Sequence, residues 1–135
     1  MESSDIFISC AAVADFKPSN YSDTKIKKED LENLEINLEK NHDILSEVSK
    51  RHNSAYIVGF AAETSNVNDN ASKQLNSKNL NMIISNDVSD KTIGFDSDDN
   101  EVHVITEKET IFLKKDKKIK IAREILNIIA INIKS

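Results

Sequence analysis

The sequence contains little cysteine, glycine or proline and no tryptophan. Because Cys10 is the single cysteine, the chain cannot form an internal disulfide bond, and this usage fits a reducing compartment. The two glycines, Gly59 and Gly94, do not make a G-x-G-x-x-G turn. The fingerprint of dinucleotide-binding proteins is therefore missing, which disfavours a redox enzyme that depends on NAD(P)H.

Signals for a membrane or for secretion are missing as well. No apolar run approaches the roughly 20 residues that a membrane-spanning helix needs. The first residues do not combine a basic stretch with an apolar stretch and a cleavage site. These two absences predict a cytoplasmic protein.

Length and charge narrow the class of protein further. A chain of 135 residues has room for one core and is expected to form a single domain. Its net charge of −5 argues against a nucleic-acid binder, because phosphate contacts need a basic face. Lysines nevertheless cluster in residues 25–28 and 114–120, so the sequence is compatible with a local anionic ligand.

Strand and helix patterns alternate along the chain. Nearly continuous apolar runs indicate strands covered on both faces, and apolar residues at helical spacing indicate helices. The predicted strands are residues 5–14, 34–39, 56–62, 80–85, 102–105 and 111–113, and the predicted helices are residues 44–52, 66–77 and 117–134. This order predicts an α/β fold, a Rossmann-like three-layer domain with a mostly parallel sheet, a C-terminal hairpin and a C-terminal helix.

Polar side chains follow three of the predicted strands. Asp15, Glu63 and the pair Asn86-Asp87 each stand where an apolar run ends. In parallel sheets, ligands bind at the edge where the strands have their carboxyl ends. That edge is therefore the predicted position of a binding site.

Five segments occur together in one order. They are Ala11-Ala12-Val13-Ala14-Asp15-Phe16, Lys25-Ile26-Lys27-Lys28, Gly59-Phe60-Ala61-Ala62-Glu63-Thr64, Lys78-Asn79-Leu80 leading to Asn86-Asp87-Val88-Ser89, and the acidic loop Gly94-Phe95-Asp96-Ser97-Asp98-Asp99-Asn100. In sequence and in spacing they resemble the C-terminal half of phosphopantothenate–cysteine ligase, also called phosphopantothenoylcysteine synthetase.

This resemblance implies an enzyme of coenzyme A biosynthesis that joins 4′-phosphopantothenate to cysteine. Bacterial members of the family use CTP with Mg²⁺ and form an acyl-cytidylate intermediate, and related eukaryotic members can use ATP. In most bacteria the ligase follows a flavin-dependent decarboxylase, whose FMN site has no counterpart in this sequence. Residues 1–135 are thus expected to be the C-terminal part of a ligase domain, without its N-terminal β-α unit and without the fused decarboxylase.

The resemblance also implies a nucleotide site. Lys25 falls where the family places a phosphate-binding, catalytic lysine, and Asp15 falls where the family contacts the ribose or base. The remaining nucleotide-binding residues implied by the resemblance are Ala11, Ala12, His42, Asp43, Ile44, Leu45, Phe60 and Lys78. Residues 25–40 correspond to an arm through which family members form homodimers.

Two positions depart from the family pattern. His42 replaces the usual proline, which loosens the entry to the helix that Asp43 is predicted to cap. Gln74 replaces a lysine, although Lys73 lies next to it. One residue along a helix turns a side chain by about 100°, so the sequence leaves open whether Lys73 takes over that role.

Other candidate sites are weaker. Glu63 and Asp87 could hold Mg²⁺, but two carboxylates at strand ends are a weak signal, so no metal ligands are assigned. The acidic residues 96–100 lack the glycine and glutamate of a calcium loop, and the three histidines lack zinc-ligand spacing. Cys10 is predicted to be a small buried core residue.

A second class of function stays open at this point. Because the N-terminal unit of the ligase is expected to be absent, the chain could instead be a non-catalytic nucleotide-binding or dimerisation remnant of that enzyme. Binding of CTP without turnover distinguishes this alternative from the ligase.

Overall fold

A computed structural model describes residues 4–25, 33–52, 54–63, 66–87 and 97–134. The chain divides into two units, one made of Met1–Cys10 with Leu45–Ser135 and the other of Ala11–Ile44. None of the helices in these described ranges is both long enough and apolar enough to cross a membrane.

The elements alternate largely as the sequence predicts. In chain order they are β1 (Ile6–Ser9), β2 (Phe16–Pro18), β3 (Leu38–Lys40), α1 (Ile44–Arg51), β4 (Tyr56–Glu63), α2 (Val67–Ser77), β5 (Met82–Asp87), β6 (Asp99–Ile105), β7 (Thr110–Lys117) and α3 (Lys118–Ile133). The three predicted helices and the C-terminal hairpin are confirmed, and each helix end lies within one residue of its predicted position.

A five-stranded mixed sheet forms the first unit, in the order β1-β4-β5-β6-β7. The pairs β1–β4 and β4–β5 are parallel, whereas β5–β6 and β6–β7 are antiparallel. Helices α1 and α2 pack on one face of this sheet and α3 packs on the other. The three-layer α/β fold with a C-terminal hairpin and helix is therefore confirmed.

Two apolar clusters, one on each face of the sheet, hold the layers together. On the α3 face, Ile121, Ile125 and Ile129 recur every fourth residue and pack against Val58 and Val104 of the sheet. Residues four apart lie on one side of a helix, so this spacing turns one stripe of α3 toward the strands.

The opposite cluster contains Ala71 and Leu75 of α2 with Ile57, Ile83 and Ile105 of the sheet. Central strands thus send alternate side chains into both clusters, which explains their nearly continuous apolar sequences.

The first predicted strand is shorter and less buried than its sequence indicates. β1 covers only Ile6–Ser9, and its side chains are exposed or half-buried. The prediction that Cys10 is a buried core residue is wrong, because Cys10 follows the end of β1 and is exposed. An apolar run does not distinguish a central strand from one at the border of a sheet, and β1 is at the border.

The apolar face of α3 is also wider than the surface it covers. Ile119 and Leu126 on this helix are 63% and 54% exposed. The sheet contacts a single stripe of this helix, which leaves apolar residues on its flank in solvent.

The second unit contains a two-stranded antiparallel sheet of β2 and β3. Of the predicted strand 34–39, only its last two residues belong to β3, which ends at Lys40. Lys17 and Glu39 form an ion pair of 3.2 Å across the two strands. Both strands are exposed throughout.

Parts of the predicted segments lie outside the described residues. These parts are Ile26-Lys27-Lys28, Thr64, Val88-Ser89 and Gly94-Phe95-Asp96. Of the predicted acidic loop, Asp99 and Asn100 are the first residues of β6.

Candidate functional site

The residues predicted to bind a nucleotide are distributed over both units. The second unit contains Ala11, Ala12, Asp15, Lys25, His42, Asp43 and Ile44, and the first contains Leu45, Phe60, Lys73, Gln74 and Lys78.

In the second unit, Asn41 joins two of the predicted segments. Its backbone N–H donates a 2.8 Å hydrogen bond to the Asp15 carbonyl, and its side-chain Nδ2 donates a 2.7 Å bond to the Ala14 carbonyl. Residues 11–15 are thereby fixed beside His42 and Asp43, which follow Asn41 in the chain. Twenty-seven positions separate Ala14 from Asn41, so this contact depends on the fold of the unit.

Two of the predicted site residues of this unit, Asp15 and Lys25, are charged and face solvent. Asp15 is exposed immediately before β2, and Lys25 is exposed seven residues after the end of that strand. Asp15 uses its backbone carbonyl in the contact with Asn41. A carboxylate and an ammonium group are thus presented on one small unit.

Helix α1 begins at Ile44, directly after His42 and Asp43. Ile44 is 47% exposed, whereas Leu45 is half-buried and packs against the cluster under α1 and α2. Gly59 of β4 makes this packing close, because a Cβ atom at that position would lie 2.8 Å from Leu45 Cδ2 and 3.0 Å from Leu80 Cδ1. The glycine therefore lets the first turn of α1 approach the sheet.

Phe60 is exposed on a central strand. It lies in β4 between β1 and β5, pairs in register with Ile84, and is still 40% exposed. Neighbours along a strand alternate between faces, so Phe60 and Ala62 project to the side opposite the buried Ala61. Both are exposed, and an aromatic ring at such a position suits stacking or edge contact with a flat ligand.

At the carboxyl end of β4, the Glu63 carboxylate is held by two amides of α2. Asn70 Nδ2 donates to Glu63 Oε2 at 3.2 Å, and Gln74 Nε2 donates to Glu63 Oε1 at 3.1 Å. Each oxygen therefore accepts one hydrogen bond from a neutral group. Gln74 thus stands at the carboxyl edge of the sheet, where the resemblance implies a ligand.

Lys73 lies within α2, and Lys78 directly follows it. Lys73 is exposed in the middle of α2. Lys78 follows the last residue of α2, where its N–H donates to the Gln74 carbonyl at 3.0 Å and its own carbonyl accepts a 2.6 Å bond from Ser49 Oγ. Ser49 is buried in α1, so this contact fixes the end of α2 against α1.

The protein side chains do not form a ready-made metal site within the described ranges. These ranges contain no group of three or more His, Cys, Asp or Glu residues that could hold a metal ion. Glu63 accepts two amide hydrogen bonds, and the Asp87 side chain lies outside the described residues. No Mg²⁺ ligand is therefore assigned in this chain.

Sequence reasoning missed two residues that position others. Asn41 and Asn70 do not belong to any of the segments that predict the site. Asn41 contacts Ala14, which is far away in sequence, and Asn70 of α2 contacts Glu63 of the preceding strand. No local sequence pattern predicts either contact. An asparagine just before a helix that follows an extended strand is the only hint available at Asn41.

The mixed sheet with helices on both faces places the protein among the three-layer α/β domains, a class in which ligands commonly bind at the carboxyl ends of parallel strands. Within that class, residues 1–132 match the family model of the DNA/pantothenate metabolism flavoprotein C-terminal domain. The chain therefore belongs to this family.

Relatives of known name agree with this assignment. The chain is 40% identical over 124 residues to the coenzyme A biosynthesis bifunctional protein CoaBC of Vibrio vulnificus (strain YJ016), covering 90% of this chain and 31% of that protein. It is 43% identical over 107 residues to the protein of the same name from Escherichia coli (strain K12), covering 77% and 26%. The chain thus spans under a third of the length of these relatives.

Solved structures show the same fold. The crystal structure of the C-terminal domain of the coenzyme A biosynthesis bifunctional protein CoaBC matches with a TM-score of 0.73 and 34% identity, over 96% of this chain and 55% of that chain. The DNA/pantothenate metabolism flavoprotein from Streptococcus pneumoniae matches with a TM-score of 0.72 and 21% identity, over 95% and 61%. At that identity, the second likeness shows the fold alone.

Proposed function

We propose that this chain forms the nucleotide-binding part of a phosphopantothenate–cysteine ligase that acts in coenzyme A biosynthesis. The observation that carries this proposal is the double hydrogen bond of Asn41 to Ala14 and Asp15. It joins the two segments of the second unit to which the resemblance assigns the nucleotide. The names of the CoaBC relatives, at 40% and 43% identity, support the same pathway.

The proposed reaction uses CTP in two steps. The carboxylate of 4′-phosphopantothenate attacks the α-phosphorus of CTP, which forms an acyl-cytidylate and releases pyrophosphate. The amine of cysteine then attacks the acyl carbon, which forms the amide and releases CMP. Negative charge builds up on the leaving pyrophosphate, so a fixed positive charge beside it lowers the barrier.

Lys25 supplies that positive charge in our proposal. Its ammonium group is a compact point charge on a flexible stem, and it is exposed and therefore reachable by a triphosphate. Asp15 contacts the ribose or base, with Ala11 and Ala12 beside it. By the same resemblance we propose that residues 42–45, Phe60 and Lys78 contact the nucleotide, with Phe60 on the face of β4 opposite the cluster against which Leu45 packs.

Mg²⁺ enters this proposal through the nucleotide. Protein sites often bind Mg²⁺ through substrate phosphates and water together with one or two carboxylates, so a complete protein cage is not required. The ion would offset charge on the phosphates. The residues described here act independently of it by binding and orienting the nucleotide.

We further propose that the chain forms a homodimer through residues 25–40. Leu34, Ile36 and Leu38 in this stretch are 58%, 63% and 58% exposed, although large apolar side chains favour burial. A partner subunit would remove them from water. We propose that the reaction takes place in the cytoplasm. We also propose that the chain acts together with a decarboxylase part, which the word bifunctional in the relatives' names suggests.

An assay that separates binding from chemistry tests the proposal. The chain is incubated with CTP, Mg²⁺, 4′-phosphopantothenate and cysteine, alone and together with the part of a CoaBC ligase domain that it does not match. Release of pyrophosphate and CMP with formation of the amide supports the ligase. Binding of CTP without turnover in both mixtures supports the non-catalytic remnant. This remnant is the second candidate because the chain covers only 55% of the CoaBC domain.

A further inference from the structure

A cavity of about 300 Å³ lies at the edge of the sheet where the parallel strands β4 and β5 have their amino ends. Tyr56 begins β4, Asn81 directly precedes β5, and Thr106 directly follows β6. Glu63 ends β4 seven residues after Tyr56, so at about 3.3 Å per residue the two positions are roughly 23 Å apart. The cavity is therefore separate from the carboxyl edge of the sheet, where Glu63 and Gln74 lie.

The ends of three helices contribute to the wall of this cavity. Ser49 belongs to the last turn of α1, and Asn132 belongs to the last turn of α3. Asn79, which also lines the cavity, follows the end of α2. The C-terminus of a helix carries a partial negative charge, which stabilises a positive charge within reach of the last turn. An ammonium group is therefore the kind of group that this wall stabilises.

Hydrogen-bond donors line the cavity as well. Asn81 Oδ1 accepts a 2.7 Å hydrogen bond from the Ile57 N–H, which leaves Asn81 Nδ2 to donate to a ligand. Burial raises the pKa of the Tyr56 hydroxyl, so this group stays neutral and keeps its proton. Lys108 adds an ammonium group from the turn between β6 and β7. Amide, hydroxyl and ammonium donors together suit a carboxylate.

The charged side chains that line the cavity are of opposite sign. Glu107 and Lys108 are neighbours on the exposed β6–β7 turn. In the described part of the chain, neither of them has an ion-pair partner. A ligand with a single charge would match one of these residues and oppose the other. A ligand with one charge of each sign complements both.

We propose that this cavity binds a small zwitterion with the ammonium and carboxylate groups of a free α-amino acid. The carboxylate accepts hydrogen bonds from Asn81, Tyr56 and Lys108, and the ammonium group lies toward Glu107 and the helix ends. The volume is at the lower end of the range of about 300–1,000 Å³ that is usual for small-molecule sites. Only three of the described lining residues are apolar, so the lining suits a polar ligand; these are Ala55, Ile57 and Leu80.

This site is independent of the proposed nucleotide chemistry. Its described lining residues all belong to the first unit, and none of them is among the residues that the resemblance assigns to the nucleotide. Amino-acid binding would therefore persist even if the chain bound no CTP.

A titration followed by ¹H–¹⁵N NMR tests the site residue by residue. The probe is L-glutamine, a zwitterion whose side-chain amide can pair with the asparagines of the cavity. We expect saturable shifts of the Asn81 side-chain amide and of the backbone amides of residues 106–108, with a Kd of about 1 mM or lower. N-acetyl-L-glutamine lacks the ammonium group and L-glutaminamide lacks the carboxylate. Each should bind at least about tenfold more weakly, because each leaves one charged lining group unmatched.

A matched pair of variants links binding to the cavity. Asn81→Asp keeps an oxygen for the Ile57 N–H but replaces the amide donor with a negative charge, and it should weaken L-glutamine binding by about tenfold. Asn127→Asp makes the same change at an exposed position in the middle of α3, outside the cavity, and should leave binding within about twofold. Tyr56→Phe removes only the hydroxyl and should weaken binding by about threefold. Thermal melting of the three variants checks that the fold is retained.

Three results would overturn the proposal. They are the absence of saturable shifts at residues 81 and 106–108, an affinity for either glutamine analogue equal to that for L-glutamine, and equal affinities of Asn81→Asp and Asn127→Asp. Loss of CTP binding with L-glutamine binding intact would instead count against the proposed function.

Discussion

The Gln74 amide donates a 3.1 Å hydrogen bond to the Glu63 carboxylate, across the gap between α2 and the carboxyl end of β4. The resemblance to the ligase family implies a lysine at position 74. The present chain therefore holds Glu63 with a neutral group at the place where a cation was expected. This single substitution changes the charge at that edge of the sheet.

The first prediction follows from this pair. Gln74→Lys should strengthen CTP binding by about threefold to tenfold, since an added point charge at a partly exposed site contributes roughly 1 kcal/mol. Calorimetric titration with CTP and Mg²⁺ measures the change. Lys73→Gln is the control, because Lys73 points about 100° away around the helix and should not affect affinity by more than about twofold. A loss of affinity of about threefold or more in Lys73→Gln, on the same scale as the gain predicted for Gln74→Lys, would instead assign the role to Lys73.

A second prediction concerns Asn41. Asn41→Asp keeps the size of the side chain but removes the amide donor that contacts the Ala14 carbonyl at 2.7 Å. We expect CTP affinity to fall by about fivefold or more, because residues 11–15 lose a hydrogen bond worth roughly 1 kcal/mol that fixes them. Asn37→Ala, at an exposed position of the same unit, should leave affinity unchanged. Equal affinities in both variants would exclude a positioning role for Asn41.

The third prediction concerns the close approach of α1 to the sheet. Gly59→Ala should lower the free energy of unfolding by about 1–3 kcal/mol, because the new methyl group must displace Leu45 from 2.8 Å. Urea unfolding followed by circular dichroism measures the loss. Ala62→Val on the exposed side of the same strand should cost little. A Gly59→Ala protein as stable as the parent would mean that Leu45 moves aside freely.

The sequence predicts the regular core well and the contacts between distant residues poorly. The helix α3 and the hairpin β6–β7 have strong local periodicity, and their order along the chain is enough to predict an α/β sheet. Burial is harder to predict, because the run around Cys10 is as apolar as a central strand while β1 lies at the border of the sheet.

The same limit applies to the candidate site. The resemblance selects Asp15, Lys25 and Phe60, but it does not predict that Asn41 bonds to Ala14 and Asp15. Nor does it predict that Gln74 bonds to Glu63. Both are contacts between side chains brought together by the fold, and nothing in the local sequence distinguishes these amides from solvent-exposed ones.

The fourth prediction tests the proposed dimer. Ile36→Lys should shift the chain toward the monomer in sedimentation velocity, since a charge would be buried at the interface formed by residues 25–40. Ile119→Lys on α3 is a matched control, because both isoleucines are 63% exposed and undergo the same change. Identical sedimentation of the two variants would argue against a role for this arm in dimerisation.

Lys25 is the residue on which the proposed chemistry depends most, and titration calorimetry with CTP and Mg²⁺ examines it most directly. We predict that the unmodified chain binds CTP saturably and that Lys25→Gln binds it at least about tenfold more weakly. Lys108→Gln is the control, because it removes the same charge from the exposed β6–β7 turn, and its affinity for CTP should be unchanged. Equal affinity of Lys25→Gln and the unmodified chain, or no binding of CTP by either, would contradict the assignment of the nucleotide site.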